Sequence, residues 1–256
     1  MKNIVQAFLV LVIMAINVSA GQEKMGPGKW INKAEIKLAE IDNYTSFFHK
    51  QERVRGKLKE EEVVFLKFKK PFKIYMKWVK DPGKGREVLY VEGWNHNRIK
   101  VHEVWMKTNV TLDLDPKGFL AMRGSRHSIT ESGLENLLMV FGRDLCGSIQ
   151  SGEFTYRELG EEMAYGRPSM KVEYLFPKDK AKSYYCYRAI IHIDTETKIP
   201  IRVKIYDWEG LLIEDYGYEN LRLNAGLTDA DFAMENPAYH FSSSSTKAPP
   251  FKALQE

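Results

Sequence analysis

Positions 63–78, VVFLKFKKPFKIYMKW, set the pattern that most of the chain repeats. Val64, Leu66 and Phe68 point one way, with Phe65 and Lys67 on the other side. Beyond Pro71, Ile74, Met76 and Trp78 share a face, with Lys73 and Lys77 opposite. A period of two with one apolar face predicts two strands of a half-buried antiparallel sheet. Pro71 has no N–H to give a ladder and belongs at the corner between them. Similar segments recur at Glu87–Val91, Arg98–Val104 and Val110–Leu114, then at Phe154–Glu158, Met170–Phe176, Tyr184–Ile193, Ile201–Ile205 and Leu211–Tyr218. Turn residues punctuate them, as in Asp81-Pro82-Gly83-Lys84-Gly85, Gly93-Trp94-Asn95-His96-Asn97 and Asp194-Thr195-Glu196-Thr197. Between Tyr44 and Val54 the residues are strand-like, but Phe47 and Phe48 are adjacent. One of the two must face outward or sit at a bulge.

Two stretches change period. From Trp30 to about Tyr44, the apolar residues Ile31, Ala34, Leu38 and Ile41 recur at spacings of three and four, which predicts an amphipathic helix. From Thr130 to Cys146, Leu134, Leu137, Leu138, Phe141 and Leu145 give a wide apolar face, with Thr130 or Ser132 placed to cap the start. Leu227–Phe232 reads as a single capped turn. About eleven strands on one sheet should curl. The expectation is a mainly β protein with helices (α+β): one curved antiparallel sheet forming an unclosed half-barrel, its concave face buried against helices or a ligand.

A chain of 256 residues, 44% hydrophobic and 28% charged, suits one large β-rich domain or two small ones. The net charge of +4 is mild and has no concentrated basic patch, so nucleic acid is not an expected partner. Lys2, the apolar run Ile4–Ile16 and the small residues Val18-Ser19-Ala20 have the form of a signal peptide cleaved after Ala20, with a run too short to span a bilayer. Residues 1–20 are accordingly read as a signal peptide, 21–241 as one domain and 242–256, with a serine run and Pro249-Pro250, as a disordered tail. An exported location permits a disulfide between Cys146 and Cys186, but spacing alone does not place their Cα atoms in range.

Catalytic chemistry has little support. G-x-S-x-G, H-E-x-x-H, C-x-x-C and P-loop motifs are all missing. The six histidines fall at no metal-ligand spacing, and His102-Glu103 on one strand face opposite ways. No cofactor, metal or catalytic residue is expected. The concave face is the main candidate for function: Leu66, Phe68, Ile74, Met76, Trp78, Ile99, Val101 and Leu112, with Leu138 and Phe141 from the helix. A filled, dry core would show the same periodicity. The corner lysines Lys67, Lys69, Lys70 and Lys73 could meet anionic headgroups or an acidic partner, or could equally blunt a sheet edge.

The order of parts, with Lys69-Lys70-Pro71 followed by Trp78, Asp194–Pro200 before Val203, and Phe232 with Asn236-Pro237, resembles the LolA/LolB-like superfamily of periplasmic lipoprotein carriers. The likeness covers about Ile31 to Phe241. It implies a half-barrel of about eleven strands with a cavity for acyl chains. It also implies a monomeric, periplasmic carrier that takes a lipid or lipoprotein from a membrane-bound donor and passes it to an acceptor for outer-membrane biogenesis. In those carriers an arginine before the corner proline latches the lid. The matching position is Lys70, which lacks the planar five-donor fork and could latch or contact a headgroup as a point charge. The alternative on this scaffold is an envelope-stress sensor or other protein-binding module.

Overall fold

The first strand of the sheet lies at its centre. In the computed structural model, which describes residues 26, 28–105, 108–138, 153–179 and 184–242, twelve antiparallel strands form one sheet. Strand β1 (Asn43–Val54) pairs on one side with β3 (Glu62–Lys69), which leads outward through β4 (Lys73–Trp78), β5 (Glu87–Val91) and β6 (Ile99–Trp105) to β7 (Thr108–Leu114). The chain returns at the opposite edge as β8 (Thr155–Ala164). It then steps inward through β9 (Arg167–Leu175), β10 (Arg188–Asp194) and β11 (Pro200–Tyr206) to β12 (Leu212–Leu223), which pairs with the other side of β1. The short β2 (Lys57–Leu58) folds back on the end of β1. Two five-strand meanders thus flank β1, and β7 and β8 are left as unpaired edges among the described residues. This is the unclosed antiparallel sheet that the alternation predicts, with a two-residue strand added to the expected eleven.

Local sequence explains most of the register. Val64, Leu66 and Phe68 of β3 are buried on the concave face and pair across to Trp78, Met76 and Ile74 of β4. The adjacent phenylalanines sit next to a bulge, since the β1–β12 register shifts between Thr45 and Phe47. As a result Phe48 turns inward to Tyr216 and Tyr218, and Phe47 turns outward onto Phe65.

Helix α1 (Lys29–Ala39) buries Trp30, Ile31, Ala34 and Leu38. It stops before the expected Tyr44. Residues from Asn43 onward are drawn into ladders with both β3 and β12, and that pairing overrides the helical period. The second predicted helix also starts later than expected. Residues 129–131 form a 3-10 turn capped by Ser128, and the α-helix begins at 134. The residues past 138 that the helical period would include, Phe141 and Cys146 among them, lie outside the described residues, as do the expected signal segment and the tail from 243. Cys186 is buried.

The outer face is covered by the C-terminal segment. Thr228 and Asp231 form a capping box around the 3-10 turn Asp229–Phe232. The chain then runs across β4 and β5: Tyr239 stacks on Tyr75 at 3.9 Å, and His240 donates its backbone N–H to the fully buried Glu87. The tip of the β8–β9 hairpin also folds across the outer face. Tyr165 lies so close over Gly217 of β12 that a Cβ there would come within 2.2 Å of its ring, so any larger residue would push the ring off the sheet. Among the described residues no helix is long and apolar enough to cross a membrane.

Candidate functional site

The concave face of the first meander, together with β1, β11 and β12, forms a half-open cavity of about 1,530 Å³. That exceeds the roughly 300–1,000 Å³ of ordinary ligand pockets. Its wall follows from the period of two: Met76 and Trp78 on β4, Val88 on β5, Ile99 and Val101 on β6, and Leu112 and Leu114 on β7 all project inward. A strap of chain from Pro116 to Leu137 crosses over them and adds Leu120, Ala121, Ile129 and Leu137. Within the strap, α2 (Phe119–Met122) is a single turn.

The predicted concave residues therefore divide. Met76, Trp78, Ile99, Val101 and Leu112 line the cavity. Leu66, Phe68, Ile74 and Leu138 do not. They are closed into the core at the inner end, where Phe68 stacks on Tyr44 at 5.1 Å and on Phe72 at 5.3 Å, edge to face.

On four of the strands the inward residues change character toward the same end of the sheet, while β7 stays apolar through Leu112 and Val110. On β1 the order is Phe48, Lys50, Glu52; on β3, Val64 gives way to Glu62; on β5, Val88 gives way to Arg86 just before the strand; on β6, Val101 to Glu103. Arg86 pairs with Glu103 at 2.5 Å and lies over the Trp78 ring at 5.2 Å. The cavity is thus apolar within and charged at its mouth.

A buried polar cluster fastens the strap near this mouth. Glu52 of β1 and Glu214 of β12 stand directly opposite each other in the ladder, and both residues are almost fully buried. Two facing carboxylates repel, and buried charges must be compensated. The strap and the neighbouring strands supply the compensation. Arg126 donates through Nε to Glu214 Oε1 at 2.6 Å and through its backbone N–H to Glu52 Oε2 at 2.8 Å. His127 Nε2 lies 3.0 Å from Glu214 Oε1, and Tyr185 donates to the same oxygen. Tyr216 donates to Glu52 Oε1 at 2.5 Å, while Lys50 donates to Ser125 Oγ at 2.6 Å. The hydrogen bond to Glu214 raises the pKa of His127 against the opposing effect of burial. Burial would push Glu214 up, but hydrogen bonds and charge from His127, Tyr185 and Arg126 outweigh it and hold the carboxyl below its usual range.

Every corner lysine has a partner within the chain. Lys67 pairs with Asp231 at 2.8 Å, Lys69 with Asp42 at 2.6 Å and Lys73 with Asp229 at 2.6 Å. Lys70 donates to the Leu38 carbonyl at the end of α1 at 2.8 Å and pairs with Glu135 at 2.9 Å. Lys70 thus links the end of α1 to the helix that begins at 134. The corner as a whole is tied up with internal acids. Three histidines likewise lie within hydrogen-bonding distance of internal acids: His192 of Glu162, His240 of Glu87 and His49 of Glu219. Among the described residues no cluster of three or more His, Cys, Asp or Glu could hold a metal.

Sequence reasoning missed the mouth cluster. Glu52, Glu214 and Tyr216 occupy inward positions of their strands, which was a usable signal. Their meeting depends on the β1–β12 pairing, which joins the two ends of the domain.

Residues 41–241 match the model of a family described as protein of unknown function (DUF1571). No curated protein matches. Several solved structures are similar in fold. MucB is 14% identical over 83% of this chain and 63% of its own, with a TM-score of 0.46, so the chain spans less than two thirds of MucB. An uncharacterized conserved protein from Thermus thermophilus is 11% identical over 86% of this chain and 96% of its own, at 0.46. A LolA superfamily protein from Nitrosomonas europaea, the group that the sequence resembles, is 11% identical over 80% of this chain and 96% of its own, at 0.33.

Proposed function

We propose that this chain, which belongs to the DUF1571 family, binds the acyl chains of an amphipathic lipid or lipidated protein in the cavity of its first meander. It does so without chemical turnover, as an exported carrier. The observation that carries the reading is the change along the strands from an apolar interior to a charged mouth. An amphipathic molecule entering tail first would find methylene partners inside and polar partners where its headgroup stops. Each buried methylene contributes about 0.8 kcal/mol, so a chain of roughly 14 carbons gains on the order of 10 kcal/mol before ordering costs. Met76 on the wall suits a flexible guest because its unbranched side chain adapts. The signal-like N-terminus supports export to the cell envelope and a periplasmic site of action.

The test is a titration with a fluorescent fatty acid. Saturable binding is expected in the wild type. It should be lost in Met76→Asp, which puts a charge into the apolar wall, and retained in Val63→Ile, outside the lining. Binding of equal strength in folded Met76→Asp would contradict the reading. Failure of the wild type to bind, together with a stable protein complex from the envelope, would favour a protein-binding sensor on this scaffold.

A further inference from the structure

We propose that the cavity mouth docks on an anionic membrane surface. The mouth is built from three loops at one end of the sheet: the β1–β2 turn, the turn at 81–86, and the strap at 119–124. A second, smaller recess lined by Lys57, Lys59, Pro82, Arg86 and Gly124 joins all three, so they form one rim.

The charges on that rim are unbalanced. Arg55, Lys57, Lys59, Lys84 and Arg123 are exposed. The exposed acids beside them are Glu60 and Asp81. Glu61, next in sequence, turns away to His49 on the outer face. The inner charges Arg86 and Glu103 satisfy each other, so the excess of cations lies at the outermost layer.

Two large apolar side chains stand out at the same rim. Val104 is 50% exposed at the end of β6, and Phe119 is 49% exposed on α2, with the Arg55 guanidinium 5.8 Å from its ring centre. Exposed apolar tips among cations fit an interface where headgroup phosphates lie over acyl chains. The corner lysines at the opposite end of the sheet are each matched by an internal acid and offer no such surface. Docked this way, the cavity would open onto the bilayer. A protein partner of acidic character could meet the cations, but it would leave the apolar tips and the opening behind them without a purpose.

Co-sedimentation with phosphatidylglycerol/phosphatidylcholine vesicles, against phosphatidylcholine alone, tests this on the mature chain. Each basic residue near an anionic surface contributes about a fivefold factor in affinity. Lys57→Glu/Lys59→Glu should therefore weaken binding by about 25-fold or more. Lys33→Glu/Arg222→Glu changes net charge equally at the other end of the molecule and should leave binding within about twofold. Phe119→Ser should weaken it further by several-fold, and added salt should release the wild type. All these variants are on exposed positions, and thermal unfolding checks their folding. Met76→Asp, inside the cavity, should still dock, which separates this proposal from the acyl-binding reading. Three results would overturn the proposal. They are equal binding to neutral vesicles, equal loss in the two charge-reversal pairs, and self-association in place of vesicle binding that the mouth variants abolish.

Discussion

The two halves of the concave face are built from the same alternation and end differently. Over β8 and β9, at the outer edge of the second meander, the inward aromatic side chains interlock beneath α1. Trp30 of α1 donates to the Tyr174 hydroxyl at 2.5 Å, and Phe154, Tyr156 and Phe176 surround the same ring at 6.1, 5.1 and 6.5 Å. Over the first meander and the inner strands β11 and β12 the cover is a strap that leaves about 1,530 Å³ beneath it. A helix can press a continuous apolar stripe against a sheet. The strap offers isolated apolar side chains and is held instead by polar groups at Glu52 and Glu214. What covers the face, and not the face itself, decides whether it is core or cavity.

The contrast can be broken most severely on the filled side. Trp30→Ala removes a fully buried ring and its hydrogen bond, and should cost about 3–5 kcal/mol in denaturant unfolding. Next comes the strap. Arg126→Ala leaves the facing carboxylates undercompensated, and on the order of 2 kcal/mol should be lost locally, a buried-pair effect reduced by the partial exposure of the guanidinium. Hydrogen exchange in 119–131 should rise far more than in β9–β11. A matched pair of substitutions sharpens the comparison directly. Val172→Phe overpacks the filled half, where Val172 is fully buried, and should cost about 1–3 kcal/mol. Val101→Phe points into the cavity and should cost less than about 1 kcal/mol.

The smallest effect is one of pH. The raised pKa of His127 means that its contribution is full below its ordinary value near 6.5 and is lost as pH rises through the raised one. The lowered pKa of Glu214 means that its contribution is full above about 4.5 and is lost as pH falls through the lowered one. The strap should therefore be best protected between about pH 4.5 and 6.5. Exchange in 125–131 should increase on the alkaline side in the wild type and stay flat there in His127→Gln, while the second meander shows no such change.

The strands were legible because one face of nearly every one is apolar, and Lys69-Lys70-Pro71 and Asp81–Gly85 mark their ends. Five of the ten concave candidates line the cavity because strand parity fixes which way a side chain points. Parity does not say how far along a strand the cover reaches, so Leu66, Phe68 and Ile74, of identical pattern, lie in the core. Tyr44 and Thr130 mislead for a related reason: helical period continues past the point where ladder pairing or a 3-10 turn takes over. Between Pro116 and Ile129 the strap shows no period, and its anchors Glu52 and Glu214 come from the two ends of the domain. The outer-face docking of Tyr239 on Tyr75 was equally hidden, although the residues of the C-terminal motif were evident.

The most direct test of the central claim is native mass spectrometry, with lipid extraction, of the protein purified from the cell envelope. The account predicts an acyl-bearing molecule in stoichiometric amount on the wild type and its loss from folded Met76→Asp, which charges the apolar wall. Wild type without any acyl-bearing mass, or folded Met76→Asp carrying the same load, would contradict it.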